Sequence, residues 1–316
     1  MLLQVIHETR YEYAPPVETA QHMAHLRPLD LPWQRVRAHR LDITPEPAQR
    51  GDTRDIYGNA RTFFSLQGVH DELTVTAESV VATHEPPRRT ASLPWEQVRE
   101  RFRYHAGAAF DAAAEFVFAS PYVPRHEDFA AYARPSFTAG LPLHLAARDL
   151  MDRIHADFEY DTESTEVSTP AREALAQRKG VCQDFAHVMV ACLRALGLPA
   201  RYVSGYLLTE PPPGQPRLVG SDASHAWVSV YAPDELGRGG WIDLDPTNNR
   251  APGEDYVTLA CGRDYSDVSP MRGVIHGGAN HTLHVAVTVQ PWTAPDHTEA
   301  PTAPSVSSPS KDKASP

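Results

Sequence analysis

The chain has 316 residues, 41% of them apolar and 22% charged, with a formal net charge of −11 and a sequence pI of 5.8. That length suits one large domain or two ordinary ones, and the apolar share supports a packed core. The acidic balance, with no block of Lys and Arg to offset it, excludes nucleic acid as a partner. No run approaches the roughly 18 apolar residues of a membrane span, which excludes a membrane partner too.

Residues 1–85 read as a β domain, a sandwich or barrel-like module. Leu2–His7, Arg35–Ile43, Arg61–Leu66 and Leu73–Val81 mix apolar and polar residues at period two, separated by turn signals at Pro15-Pro16, Pro45-Glu46-Pro47 and Gly58-Asn59. His22 and His25 lie here without partners that suggest chemistry. Pro86-Pro87-Arg88-Arg89 reads as a linker, and a core over residues 86–290 follows. Helices are expected over Trp95–Arg103, Ala108–Phe118 and Leu143–Phe158, and over Pro170–Arg178 with Thr169 as N-cap. The segment 291–316, rich in Pro, Ser and Thr, has little to bury and is expected to be a disordered tail.

The three cysteines, Cys182, Cys192 and Cys261, are an odd and sparse set with no zinc-ligand spacing. Met1–Tyr13 lacks the basic start of a secretion signal. Reduced thiols, a cytoplasmic setting, and no metal or cofactor are the expectation.

Cys182 opens the strongest helix of the chain. Phe185, Ala186, Met189, Val190, Leu193 and Leu196 recur at spacings of three and four, and Gly197 with Pro199 stops the helix. A thiol in a first turn sits where unpaired N–H groups and the helix dipole favour a thiolate. Cys192, mid-helix, and Cys261, with no base nearby, read as buried small hydrophobes. Asp184 complements the helix dipole, and His187 is a packed or solvated histidine.

Downstream, Ser224–Tyr231 alternates with His225 and Trp227 on one face, and Trp241–Asp245 alternates with both aspartates on one face. A hairpin centred near Glu235 sets His225 directly opposite Asp245, where cross-strand Cβ atoms are about 4.5–5.5 Å apart. A shift of two would put Asp243 there instead. A cysteine, an imidazole and a carboxylate in this arrangement provide the nucleophile, proton shuttle and orienting group of thiol acyl transfer.

The motifs Gly180-Val181-Cys182-Gln183-Asp184-Phe185-Ala186, Ser224-His225-Ala226-Trp227 and Trp241-Ile242-Asp243-Leu244-Asp245-Pro246-Thr247 resemble the bacterial transglutaminase-like proteins, candidate cysteine peptidases of the transglutaminase/papain-like superfamily. His7–Tyr13, Asp55–Asn59 and Asp267–Gly273 extend the resemblance over nearly all of the chain but its tail. It implies an α+β fold in which the Cys182 helix of a papain-like core packs on an antiparallel sheet that Arg201–Leu208 extends. It also implies that Cys182, His225 and Asp245 form a catalytic triad. The Cys182 N–H is an expected oxyanion donor. Tyr160, Gln183 and Trp227 are candidates for the second donor or for substrate contact, and Arg217, Asp222 and Ser224 for the rim. The expected activity is hydrolysis of a peptide or amide bond in a peptide or protein substrate. Transfer to an amine is the alternative, and a noncatalytic binding module on the same fold is the reading from another class.

Overall fold

The computed structural model describes residues 1–88, 90–107, 109–209, 224–236 and 239–293. In chain order, the strands β1 (Leu2–Ala24), β2 (Gln34–Thr44), β3 (Gln49–Arg54), β4 (Ala60–Leu66) and β5 (His70–Thr83) come first. After α1 (Trp95–Arg101) and a 3-10 turn at Ala112–Val117 come α2 (Glu127–Ala133), α3 (Leu143–Asp157), β6 (Glu159–Tyr160), α4 (Ala171–Gln177) and β7 (Lys179–Gly180). Then follow α5 (Cys182–Ala195), β8 (Ala200–Leu207), β9 (Ser224–Tyr231), β10 (Trp241–Leu244), β11 (Tyr256–Gly262), α6 (Tyr265–Val268), β12 (Met271–Gly277) and β13 (Asn280–Pro291).

The first five strands form a curled antiparallel sheet in the order β2-β5-β1-β4-β3. β1 is far longer than its expected six residues because Pro15 and Pro16 interrupt the pairing without ending the strand. The ladders with β5 and β13 serve its first half, and those with β4 and β12 its second. A residue without an N–H is tolerated where the ladder already breaks. The last two strands, β12 and β13, pair with β1 in the N-terminal sheet, although both lie almost wholly within the 86–290 segment expected to form the core. Trp292 donates its N–H to Leu2 O at 2.9 Å, inside the segment expected to be a tail. Residues 294–316 lie outside the described residues.

The second sheet, in the order β10-β9-β8-β11, carries α5 on one face. Val188, Met189, Val190 and Leu193 are fully buried between this sheet and the helices α2, α3 and α4. Each such side chain contributes about 1.5–3 kcal/mol of burial free energy. β11 is an edge strand, yet its outer groups are paired. The Gln34 side chain accepts from Thr258 N–H at 2.7 Å and donates to Thr258 O at 2.8 Å. Asn59 does the same at Cys261, at 2.8 and 2.7 Å. Two side-chain amides from the N-terminal sheet thus occupy the positions of a neighbouring strand.

Two local expectations shift. The Ala-rich stretch forms only the short 3-10 turn, capped where Asp111 Oδ1 accepts from Ala113 N–H at 3.0 Å; Ala108 and Arg89 lie outside the described residues. Thr169 does not cap α4; its hydroxyl accepts from Glu166 N–H at 2.9 Å, and Pro170 holds the N-cap position.

Candidate active site

Gly180 sets the entry to α5. It has φ of +153°, and a Cβ there would lie 2.5 Å from Asp184 Oδ2 and 2.7 Å from Asp184 Cβ. Asp184, buried in the first turn, accepts from Val181 N–H at 2.9 Å and from the Thr165 hydroxyl at 2.7 Å. Burial raises its carboxyl pKa, and these two hydrogen bonds oppose the rise. The carboxylate is therefore a cap built into the helix start. Cys182 follows as the first residue of α5, half-buried, with Sγ 4.0 Å from Ser224 O.

That carbonyl belongs to the first residue of β9, and the next residue is His225. Its Nε2 lies 2.6 Å from Asp245 Oδ2. Burial disfavours the imidazolium, but the Asp245 carboxylate and Cys182 overcome this and push the pKa up to about 10. Because Nε2 is committed to Asp245, Nδ1 is the nitrogen left for the thiol.

The hairpin register differs from the expected one. Trp241 pairs with Tyr231 and Leu244 with Val228, so the hairpin centres one residue later, at Leu236. Continued, this register would bring Asp245 opposite Trp227. The ladder stops at Leu244, because Pro246 has no N–H and the chain turns back through Asp245 and Arg250. Asp245 then meets His225 as a diagonal neighbour from the turn. Asp243 lies opposite Ser229 instead; burial raises its pKa and the charge of Arg201 opposes the rise.

Asp245 is fully buried and heavily bonded. Oδ1 accepts from the N–H groups of Thr247 at 2.9 Å and Asn248 at 3.2 Å. Oδ2 accepts from His225, from Asn248 Nδ2 at 2.7 Å and from the Tyr256 hydroxyl at 2.7 Å. Burial would raise its pKa, but these donors, His225 first, hold it below the usual carboxylate value. Sequence reasoning missed Asn248 and Tyr256. The run Asp245-Pro246-Thr247-Asn248 carries a turn signal that could have found Asn248; nothing local marks Tyr256.

Tyr160, paired beside Gly180 and 55% exposed, stands close enough to Cys182 for the thiolate charge, after burial, to raise its pKa. Gln183 is committed elsewhere, its Nε2 donating to Val167 O at 3.0 Å. Trp227 has no exposed surface to offer a substrate; it packs edge-on to Tyr256 beneath His225. Arg217 and Asp222 lie outside the described residues. Cys192 and Cys261 are buried, and burial raises both thiol pKa values. His187 is buried with Nε2 accepting from Tyr265 N–H at 3.2 Å; His22 and His25 are buried in the N-terminal sheet. Among the described residues no group of three or more His, Cys, Asp or Glu side chains could hold a metal ion.

Comparison with known proteins supplies the family. Residues 3–82 match the bacterial transglutaminase-like N-terminal region, and residues 130–246 match the transglutaminase-like superfamily. An uncharacterized protein of Mycobacterium tuberculosis is 42% identical over 295 residues, which span 92% of each chain. The chain belongs to the transglutaminase-like superfamily. A crystal structure of a candidate cysteine protease from Cytophaga hutchinsonii shares the fold at a TM-score of 0.69, with 20% identity over 93% of this chain and 92% of that one. A protein-glutamine gamma-glutamyltransferase of Pseudomonas aeruginosa is 42% identical over 76 residues, 24% of this chain and 11% of that protein. Within this superfamily chain, the stretch matched by the core region contains Cys182, His225 and Asp245, while Asn248 and Tyr256 lie just beyond it. Among the described residues no helix is long and apolar enough to cross a membrane.

Proposed function

We propose that the protein is a thiol-dependent acyl-transfer enzyme that hydrolyses a peptide or amide bond in a peptide or protein substrate. The observation that carries this reading is the 2.6 Å contact of His225 Nε2 with buried Asp245, beside a cysteine at a helix start. In the first half-reaction, His225 Nδ1 takes the Cys182 proton and Sγ bonds to the substrate carbonyl carbon. The Cys182 N–H, in the first turn of α5, stabilises the resulting oxyanion; the Asp184 N–H of the same turn is committed to Val181 O at 2.9 Å. The tetrahedral carbon then expels the amine, which takes its proton from Nδ1, and a thioester remains. In the second half-reaction Nδ1 accepts a proton from water, the hydroxide oxygen bonds to the thioester carbon, and Sγ leaves with the acid free. Asp245 keeps its charge throughout and holds the Nε2–H tautomer. The three cysteines are unpaired, as suits reduced thiols, and on that ground we place the protein in the cytoplasm; fractionation that recovers it outside the cytoplasm would overturn that placement.

A second reading, transfer of the acyl group to an amine, is favoured by the 76-residue match to the Pseudomonas transferase. One experiment separates the two. Incubated with a glutamine-containing peptide and a primary amine, the wild type is expected to release free acid, and Cys182→Ala to release nothing at nearly unchanged thermal stability. Dominant isopeptide product would replace the hydrolase by the transferase. Turnover retained by Cys182→Ala would reject both, and no turnover across a broad peptide library would favour a binding module.

A further inference from the structure

We propose that Tyr256, assisted by Asn248, is a positioning residue of the acyl-transfer site: its hydroxyl fixes the orientation and the negative charge of the Asp245 carboxylate that His225 relies on. The inference rests on the acyl-transfer reading of Cys182, His225 and Asp245.

Five donors converge on Asp245, three of them on Oδ2. An ionised carboxylate offers about four lone-pair sites, so this one is saturated and can only accept. The donors are not equivalent. Those to Oδ1 are backbone N–H groups of the Asp245 turn itself, and they hold the carboxylate wherever the turn goes. Asn248 is exposed and shares its Nδ2 between Asp245 and the neighbourhood of His225 Nε2, 3.3 Å away. Beside His225 itself, which the carboxylate serves, Tyr256 is the donor among the described residues that reaches Oδ2 from another strand, and it does so from inside the core at 4% exposure.

The phenol is itself held on two sides. Its ring meets Trp227 edge-on at 5.4 Å and an interplanar angle of 86°. The Arg250 guanidinium lies over it at 4.6 Å, tied in turn to Asp255. A ring fixed in this way delivers its hydroxyl at one angle, so β11 sets the direction of Oδ2 and, through it, the imidazole plane. Burial and the Asp245 charge raise the Tyr256 pKa far above its usual value, so the hydroxyl remains a donor at every working pH. The charged and titratable groups around Asp245 are His225 from β9, Arg250 from the turn, Tyr256 from β11, and Cys182 through His225. Removing the phenol oxygen leaves these in place and withdraws one charge-assisted hydrogen bond from the anion.

The test compares the full chain with Tyr256→Phe and Asn248→Ala. The Asp245 carboxyl is titrated by carbon NMR, assigned by its loss in Asp245→Asn, and Cys182 alkylation by limiting iodoacetamide is followed from about pH 4 to 9. Tyr256→Phe is expected to raise the Asp245 titration by about one unit, a tenfold change in proton affinity. It should also slow neutral-pH alkylation of Cys182 about tenfold while the ring packing and fold remain. Asn248→Ala should move both readouts the same way by less. A folded Tyr256→Phe protein whose Asp245 titrates as in the wild type overturns the proposal. Should the phenylalanine variant fail to fold, 3-fluorotyrosine at 256 keeps the ring and strengthens the donor. It must then lower the Asp245 titration, and no change overturns the proposal equally. If wild-type Cys182 alkylates no faster than Cys192 or Cys261, the acyl-transfer reading falls, while the carboxyl titration still decides for or against Tyr256.

Discussion

Asp243 and Asp245 stand two residues apart on the same side of β10 and its continuation, yet they meet different charges. Asp245 faces an imidazole, and Asp243 feels the guanidinium of Arg201. Asp245→Asn removes the acceptor that holds Nε2–H, and kcat/KM is expected to fall on the order of 10³–10⁴-fold with the fold retained. Asp243→Asn should cost far less, and turnover of the two purified variants on one peptide decides. A larger loss for Asp243→Asn would reassign the orienting carboxylate. From the sequence, Asp245 was expected beside His225 through a hairpin centred near Glu235 and through the resemblance of Asp245-Pro246-Thr247 to the family motif; the contact is there, but it is made differently. Strict cross-strand pairing does not make the contact. A proline ends the ladder, and the turn carries the acid to the histidine. Trp227 shows the limit of alternation: it shares a face with His225 along β9, but packing against Tyr256 puts that face in the interior at Trp227.

At the level of elements, α5 was the most legible part of the chain. Its apolar spacing, its glycine stop and its first residue all stand as the periodicity predicts, because burial on nearly every side leaves the 3.6-residue repeat little freedom. The hairpin register was not legible, since moving the centre of the loop by one residue moves the pairing by two. Gly180 shows how closely the helix start is built. Gly180→Ala must push a Cβ into Asp184 from a backbone conformation that side chains rarely adopt. The expected cost is about 2–3 kcal/mol in urea unfolding, with Cys182 reactivity reduced as the cap loosens. A variant as stable as the wild type would show that the turn relaxes without strain.

Across the whole molecule, buried histidines make stability depend on acid. Burial pushes the pKa of His7 and His22 down to about 4 and that of His187 to about 3. Each is neutral in the fold and protonated below its ordinary pKa of about 6.5 when unfolded. Their stabilisation is therefore complete above about pH 6.5 and is lost as pH falls through the folded values, on the order of 3 kcal/mol each for His7 and His22 and about 5 kcal/mol for His187. His225 works the other way: its pKa is raised to about 10, so its contribution is full below about 6.5 and disappears as pH rises through 10. Stability should peak near neutrality, and urea midpoints at about pH 7 and 4.5 check the acid side, where equal midpoints would contradict the neutral assignment. None of these burials could be read from the chain, in which histidines are scattered without period. The return of β12 and β13 to the first sheet was hidden for a related reason: strand partners far apart in sequence leave no local mark.

The two amide clasps on β11 also bear on how the protein is made. Gln34 precedes Thr258 by 224 residues, and Asn59 precedes Cys261 by 202. During translation the clasps therefore leave the ribosome long before the strand they will close. When β11 emerges, a partner for its bare edge is already tethered to the same chain and reaches it ahead of any strand from another molecule. A core synthesised without that forerunner would meet the crowded cell with Thr258 and Cys261 open to the first extended chain it touched.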